Sequence, residues 1–423
     1  MPPPTSSHPV ASTTMAVPAA LPLSAEAAVQ TALQQASSFQ RAIIDEQIAA
    51  QDVTQARAAL LPRVRSSATV AYNSPAHPPS TDQSFIAQNA IHEYQALIGV
   101  AGEFNVGLFA AVRRARALME AAHAGTEIAR RALVRGVNEA YYGAALATAK
   151  RVAAEQSLAA AEEFERVTAL NDKAGEVPEV DLIRARLQSA QRRDDMAQAR
   201  GVEIVANASL GTLLGYGISR TPSIVPLRQD VDPAEIGRLT ATGVARRPEF
   251  AQLEAQVRAA REDIRAGRAD YFPKVFYSVD EGFDSPTLSA EDIRQHRGML
   301  AAANIDWTLF DWGATRSRQR QAQLRLQGAE LQRQLTTRDL YLQFTTAHQE
   351  ALTAAERVDN AKTALADAER NVTISLARYR AGEAPITEAT DALTTRATQR
   401  MALQQALYDF QIAREHLREA AGE

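Results

Sequence analysis

Residues 94–106 read YQALIGVAGEFNV, and this stretch decides the class of fold. Its side chains alternate between a mainly apolar set and a mainly polar or small set. The first set is Tyr94, Ala96, Ile98, Val100, Gly102, Phe104 and Val106; the second is Gln95, Leu97, Gly99, Ala101, Glu103 and Asn105. A period of two is typical of a β-strand with one apolar face, and a tilted strand of this length can cross a bilayer. We therefore predict a strand over about 94–109.

Three further segments alternate in the same way and predict strands over about 63–73, 274–282 and 299–310. Their apolar faces suit lipid, with polar residues facing inward. On this hypothesis a lumen is lined by Arg65, Glu103, Asn304 and Asp306. Two soluble hairpins, each with one buried face, would show the same alternation, so the pattern alone leaves both interpretations open.

The strands belong to a unit that occurs twice. Three segments of the first half match three of the second, in the same order: 56–64 with 267–275, 104–109 with 305–310, and 174–178 with 381–385. A single duplication explains this better than a solenoid of short repeats. We place the first repeat at 24–216, a joint with several prolines and glycines at 217–245, and the second repeat at 246–421.

Residues 1–23 are rich in Pro, Ser, Thr and Ala, and the first Lys or Arg of the chain is Arg41. This composition predicts a disordered segment without the basic region that opens a secretory signal. Three explanations stay open: a start further upstream, a signal already removed, or a protein that remains in the cytoplasm.

Each repeat predicts a helix, two strands, a very long helix, a tight turn and another helix. The first helices are expected over 25–61 and 248–272, before Pro62 and Pro273. The long helices are expected over 110–173 and 314–380, each roughly 95–100 Å at the usual rise per residue. Gly175 and Gly382 are typical helix C-caps, which predicts two antiparallel helical hairpins.

The second long helix carries a stripe of period 3.5 that consists mostly of alanine. Its residues are Phe344, Ala347, Ala351, Ala354, Val358, Ala361, Leu365, Ala368 and Val372. A second stripe contains Leu324, Leu331, Leu335, Leu342 and Leu352. Two stripes on one helix indicate neighbours on both sides, as in a sheet or a tube of helices. An elongated soluble coiled-coil scaffold would also show heptads and remains the alternative.

Composition excludes several classes of function. The chain has 423 residues, no cysteine and a net charge of −4, so neither a thiolate metal site nor a general nucleic-acid surface is expected. No apolar run is long enough for a transmembrane helix. The seven histidines have no metal-ligand spacing, and no phosphate-binding loop or catalytic triad motif occurs. We therefore expect neither an enzyme nor a cofactor or metal.

Several motifs resemble the TolC family of outer-membrane efflux proteins, the outer membrane factors. They are Arg247-Pro248-Glu249, ADYFP at 269–273, WTLFDWG at 307–313 and ARYRAG at 377–382, in the family's order of elements. The resemblance implies a mainly α fold with a β-barrel part, in which three chains pool their strands into one barrel and continue it as a helical tube. It also implies an exit duct of a tripartite efflux pump or a type I secretion system.

The resemblance also assigns positions and partners. Barrel junctions are implied at Pro62, Pro273, Trp307, Phe310 and Gly313. Periplasmic tips, with candidate gating residues, are implied at Asp172, Gly175, Glu176, Arg378, Tyr379, Arg380, Gly382 and Glu383. The implied location is the outer membrane with a periplasmic extension. The implied partners are two further copies of the chain, outer-membrane lipid, a periplasmic adaptor and an inner-membrane transporter.

Two features depart from the family: no export signal is visible, and the tips carry Glu176 and Glu383 where some members have a hydrophobic triplet. At the tips, the acids Asp172 and Glu176 are expected to pair with Arg378 and Arg380 of a neighbouring hairpin. A periplasmic adaptor also has a long hairpin, but the duplication and the paired strands argue against it.

Overall fold

A computed structural model of the chain describes residues 23–76, 84, 86, 89–216, 224–227, 230 and 232–423. The predicted disordered segment lies outside this part of the chain, apart from Leu23, as do residues 217–223, 228, 229 and 231 of the joint. Within the joint, Ile224 forms an isolated parallel bridge with Leu23.

The helices and strands follow the duplicated order. The helices are α1 (Ala25–Leu33), α2 (Ser38–Ala58), α3 (Val106–Lys173), α4 (Glu179–Leu213), α5 (Pro233–Arg238), α6 (Pro248–Ala269), α7 (Ala290–Gln295), α8 (Ala314–Arg380) and α9 (Ile386–Ala420), with a 3₁₀ helix at Ala241–Arg246. The strands are β1 (Arg63–Tyr72), β2 (His92–Phe104), β3 (Lys274–Ser285) and β4 (Arg297–Asp306).

The bounds differ from the prediction where local hydrogen bonds override the apolar pattern. β2 ends at Phe104 rather than about 109, because the Asn105 side chain accepts from the Gly107 amide at 2.8 Å and α3 begins. β4 ends at Asp306 rather than about 310. The predicted helix 25–61 is two helices, α1 and α2. Serine competes for backbone hydrogen bonds, and the break falls at residues 34–37, beside the pair Ser37-Ser38.

The four strands form one antiparallel sheet in the order β1-β2-β3-β4. Its register places residues of both repeats in common rows, since β2 of the first repeat pairs with β3 of the second. One row is Val64, Val100, Val279 and Ala301, and the adjacent row is Arg65, Gly99, Asp280 and Leu300. Directly opposed residues share a face, so the first row belongs to the apolar face and the second to the polar face.

The chain divides into two compact units, and each takes segments from both repeats. The hairpin unit comprises Met1–Ser37, Arg130–Gly243 and Gln343–Glu423. The sheet unit comprises Ser38–Ala129 and Val244–Leu342 and contains all four strands. In the part of the chain that the structure describes, no helix has the length and apolar character needed to cross a membrane.

Alanine-rich helix contacts build the core of the hairpin unit. One cluster contains Ala28, Ala32, Val137, Tyr141, Ala144, Leu210 and Leu214; another contains Phe164, Ala185, Val372, Ile386, Ala389, Ala392 and Leu393. Most of the alanine stripe on α8 is buried, and Ala351 and Val358 are fully so. The leucine stripe is different, since Leu331 and Leu342 are 55% and 65% exposed.

Candidate functional site: strand faces, junctions and hairpin tips

The polar face of the sheet carries all four predicted lumen residues. Glu103 and Asn304 lie in one row, on either side of Phe276, and Asp306 pairs with Lys274 at the end of the sheet. Arg65 lies on the same face in β1. The charged residues of this face are Arg63, Arg65, Glu93, Glu103, Lys274, Asp280, Asp284 and Asp306. The register thus gathers residues that are more than 200 positions apart in the sequence onto one surface.

An ion pair crosses the middle of this face. The Arg65 guanidinium donates to the Asp280 carboxylate, with Nη2 at 3.1 Å from Oδ2 and 3.3 Å from Oδ1. Arg65 lies in β1 and Asp280 in β3, and Gly99 of β2 lies between them. A Cβ at Gly99 would lie 2.1 Å from Asp280 Oδ1 and 2.5 Å from the Val279 carbonyl oxygen. The glycine therefore gives the pair room to span a strand.

We expect Gly99→Ala to destabilise the sheet by about 1–3 kcal/mol, the usual cost of overpacking, because the new methyl group meets a backbone carbonyl as well as Asp280. Denaturant unfolding of the reconstituted protein measures this cost. Gly298→Ala is the matched control, since Gly298 also lies in a strand and nothing lies within 4 Å of its added Cβ. Equal stability of the two variants would show that the close approach at Gly99 is unimportant.

The opposite face is mainly apolar and lies open in the single chain. Its charged residues include Glu281 and Arg297, which form an ion pair with each other. Val64, Ile98, Met299 and Ile305 are 75%, 61%, 73% and 67% exposed. An exposed apolar surface that extends over four strands is typical of a site that contacts lipid or another protein.

Prolines and a capped turn mark the junctions between helices and strands. Pro62 and Pro273 immediately precede β1 and β3. Gly313, with φ at 87°, precedes α8. Asp311 holds this turn: its carboxylate accepts from the backbone amides of Gly313 and Thr315 at 3.1 and 2.7 Å.

Trp307 and Phe310, the other predicted junction residues, lie beyond the end of β4. The Trp307 indole donates to the Tyr271 carbonyl at 3.2 Å and so links the two junctions of the second repeat. Trp312, with φ at 55° and 91% exposure, was not among the predicted site residues. The signal in the sequence that could have identified Trp312 is its position directly before Gly313.

The two hairpin tips have the same geometry. Gly175 and Gly382 both have φ at 74°, a conformation that favours glycine. The Glu176 amide donates to the Asn171 carbonyl and the Glu383 amide to the Arg378 carbonyl, both at 2.9 Å. This six-to-one bond is the Schellman motif that ends a helix. The duplication therefore extends to the hydrogen bonds of the turns.

One tip charge, Arg378, has an ion-pair partner within its own hairpin, and the expected pairing with a neighbouring hairpin stays a prediction. Arg378 Nη1 lies 2.5 Å from Oε1 of Glu388, on the other arm of its hairpin. The Arg166 guanidinium donates to the Glu163 carboxylate. This hydrogen bond holds the pKa of Glu163 below its ordinary value, and the charge of Arg380 lowers it slightly further. Glu176 and Glu383 are exposed on the two turns.

Tyr379 packs inward and joins the two hairpins of the chain. Its ring centroid lies 5.6 Å from that of Phe164 on α3. Burial raises the pKa of its hydroxyl, and the charge of Asp181 raises it further, so Tyr379 is neutral at physiological pH. Phe164 was not predicted as a tip residue. It lies at a buried position among charged neighbours, and only the contact with the second repeat shows its role.

Among the described residues, no group of three or more histidine, aspartate or glutamate side chains is arranged to hold a metal ion. The sheet unit presents a polar strand face, an apolar strand face and aromatic junctions. The hairpin unit presents two capped tips.

The chain is similar in sequence to known proteins. The chain is 28% identical over 249 residues to the toluene efflux pump outer membrane protein TtgC of Pseudomonas putida, an alignment that covers 57% of this chain and 50% of that protein. It is 30% identical over 220 residues to the antibiotic efflux pump outer membrane protein ArpC of Pseudomonas putida, covering 51% of this chain and 44% of that one. The matches thus span about half the length of these curated relatives.

Solved structures share the fold over nearly the whole chain. The Campylobacter jejuni CmeC outer membrane channel superposes with a TM-score of 0.83 at 17% identity, covering 94% of this chain and 85% of that one. The Vibrio cholerae outer membrane protein VceC superposes with a TM-score of 0.81 at 18% identity, covering 94% and 96%. The family described as "outer membrane efflux protein" matches residues 28–216 and 243–423. These residues include both strand pairs and both hairpins, and the chain belongs to this family.

Proposed function

We propose that this protein is the outer-membrane channel of an efflux system, an exit duct through which solutes pass without chemical change. The observation that carries the proposal is the four-stranded sheet, with one polar face and one exposed apolar face. A polar face suits a water-filled lumen and an apolar face suits lipid. The family and its relatives support the same function.

The open edges of the sheet support a homotrimer. Within the described residues, β1 and β4 are each paired along one side only. A bilayer tolerates no open sheet edge, and four strands are too few to close a barrel. Three chains would contribute twelve strands, with β4 of one chain against β1 of the next. The exposed leucine stripe on α8, with Leu331 and Leu342, supports a neighbour in the helical part as well.

The helical hairpins support a periplasmic extension whose tips meet an adaptor and, through it, an inner-membrane transporter. TtgC and ArpC are named for toluene and antibiotic efflux, which favours efflux of small organic molecules over type I secretion. A soluble coiled-coil scaffold is less well supported, because it leaves the exposed strand face without a partner.

Outer-membrane fractionation followed by light scattering in detergent tests this function. We expect the protein in the outer-membrane fraction and a protein mass three times that of the 45.8 kDa chain. A stable monomer that retains its full β content by circular dichroism would contradict the trimer. Recovery in the soluble fraction would contradict the channel and favour the scaffold.

We further propose that the tip charges bias the duct toward closure. Each exposed ion pair contributes about 0–1 kcal/mol, so only a repeated set in the trimer would matter. We expect the double variant Arg378→Ser and Asp172→Ala to raise single-channel conductance in planar bilayers, and more so at low salt, where screening is weaker. Glu388→Gln is the control, because it removes only the pair within the hairpin. Conductance that stays at the wild-type closed level in the double variant would show that charge does not hold the tips.

A further inference from the structure

A cleft of about 330 Å³ lies between three helices of the hairpin unit, α3, α4 and α9. A volume of this size is typical of pockets that bind small molecules, and such pockets often lie between the helices of a bundle. Helix α3 lines the cleft over 147–157, a length of about 15 Å at the usual rise per residue. The cleft is therefore elongated along the helices.

Most of the cleft is lined by apolar side chains. These are Ala147, Ala154, Ala199, Val202, Ala397 and Met401. The hydroxyls of Ser157 and Thr398 donate to carbonyl oxygens of their own helices at 2.8 and 3.1 Å. Arg192 Nη1 lies 2.9 Å from Oδ2 of Asp195, which also lines the cleft. The chain itself therefore supplies partners for these polar groups.

Lys150 is the lining residue whose charge is not compensated. Its ammonium donates to the amide oxygen Oε1 of Gln405 at 2.7 Å, and it has no carboxylate partner among the residues that the structure describes. The neighbouring Arg151 binds both Glu155, at 3.0 Å, and Glu203, at 2.8 Å. The cleft thus carries an excess positive charge at Lys150.

Two ion pairs between α3 and α4 fix the direction of the cleft. Arg151 Nε lies 2.8 Å from Glu203 Oε2, and Arg193 Nη2 lies 3.0 Å from Glu162 Oε1, so the two helices are antiparallel here. Lys150 therefore lies at one end of the cleft and the neutral arginine–aspartate pair at the other. Most of the apolar lining lies between them.

We propose that this cleft binds a small anionic amphiphile, a carboxylate with a short unbranched tail. The carboxylate accepts a charge-assisted hydrogen bond from Lys150, and the tail lies against the apolar lining, where it is removed from water. A cationic ligand would be repelled by Lys150, and a neutral one would leave its charge uncompensated. A carboxylate of a second copy of the chain is the competing occupant.

Octanoate is the probe for this site, and photolabelling locates it. An octanoate analogue with a diazirine near the end of its tail is crosslinked to the full chain in lipid nanodiscs, and the adducts are located by mass spectrometry. We expect adducts on cleft residues of α4 and α9, such as Ala199 and Met401. Excess octanoate is expected to remove most of this label. Octylammonium, with the same tail and the opposite charge, is expected to leave it.

Substitutions at the two parts of the cleft sharpen the test. Lys150→Gln is expected to weaken the labelling by roughly fivefold or more, because the charge-assisted hydrogen bond is lost, and Lys150→Arg is expected to retain it. Lys362→Gln is the matched control, since Lys362 is exposed on α8 and does not line the cleft. Ala199→Phe places a ring in the cleft and is expected to abolish the labelling while the circular dichroism stays that of the wild type.

Three results would overturn the site. Unchanged labelling in Lys150→Gln, or equal competition by octanoate and octylammonium, would show an apolar surface that does not recognise the carboxylate. Adducts confined to residues outside the cleft would place the ligand elsewhere. An assembled protein that takes up no label would show that a neighbouring copy covers the cleft. These results leave the channel function unaffected, because the cleft lies within the hairpin unit.

Discussion

Val100→Arg is expected to destabilise the membrane-inserted protein by about 2–4 kcal/mol, the cost of an arginine on the lipid face near the bilayer midplane. Val100 lies in β2, which is paired on both sides, in a row with Val64 and Val279. An arginine side chain at this position cannot place its guanidinium in the lumen or at the edge of the sheet, so the charge stays in lipid. The loss is measured by denaturant unfolding in lipid vesicles and by the yield of the proposed trimer after folding.

Two variants in β4 serve as controls. One tests which face of the sheet carries the charge, and the other tests how deep in the membrane the charge lies. Asn304→Arg places the same charge on the polar face and is expected to fold normally. Ile305→Arg places it on the apolar face but next to the end of the strand, where about 0–1 kcal/mol is expected. Equal folding yields for Val100→Arg and Asn304→Arg would contradict the assignment of the two faces.

The sequence sufficed for features that depend on local signals. Helix α8 was predicted at 314–380 and begins and ends there, because Gly313 and Gly382 bracket it and both adopt a positive φ. The strand faces were also readable, since alternation in one strand does not depend on its partner. The resemblance to the family then placed these elements in a known architecture, and the fold agrees with it.

The ends of the strands could not be predicted from the sequence, for a physical reason. Apolar residues continue to alternate beyond the last ladder hydrogen bond, through 105–109 and 307–310. β2 ends where the Asn105 side chain accepts from the Gly107 amide of the following turn. β4 ends at Asp306, and the Asp311 carboxylate then caps the turn that precedes α8.

Contacts between the two repeats could not be predicted from the sequence either. The partner of Arg65 is 215 positions away, and finding it requires the register of three strands. At the tips, charge alone did not identify the partner of Arg378 within its own chain. Glu388 comes within reach because the Schellman turn brings the two arms of the hairpin together.

Phe164→Ala is expected to have the largest effect in the hairpin unit, about 3–5 kcal/mol, because it removes a buried ring from a packed cluster. Phe164 is 8% exposed and packs with Val372 and Ile386 of the second hairpin and with the Tyr379 ring. The cluster joins the two hairpins of the chain close to their tips. We therefore expect the cavity to loosen the tips as well as to lower the stability measured by denaturant unfolding.

The conductance of this variant distinguishes packing from charge as the cause of tip closure. If packing holds the tips, Phe164→Ala raises the closed-level conductance in planar bilayers at both low and high salt, since burial of an apolar ring is not screened by ions. Phe164→Leu keeps an apolar side chain in the cluster and is expected to cost less than about 1.5 kcal/mol, with conductance near the wild-type level. Wild-type conductance in Phe164→Ala, together with its expected loss of stability, would show that this cluster supports the hairpins but does not close the duct.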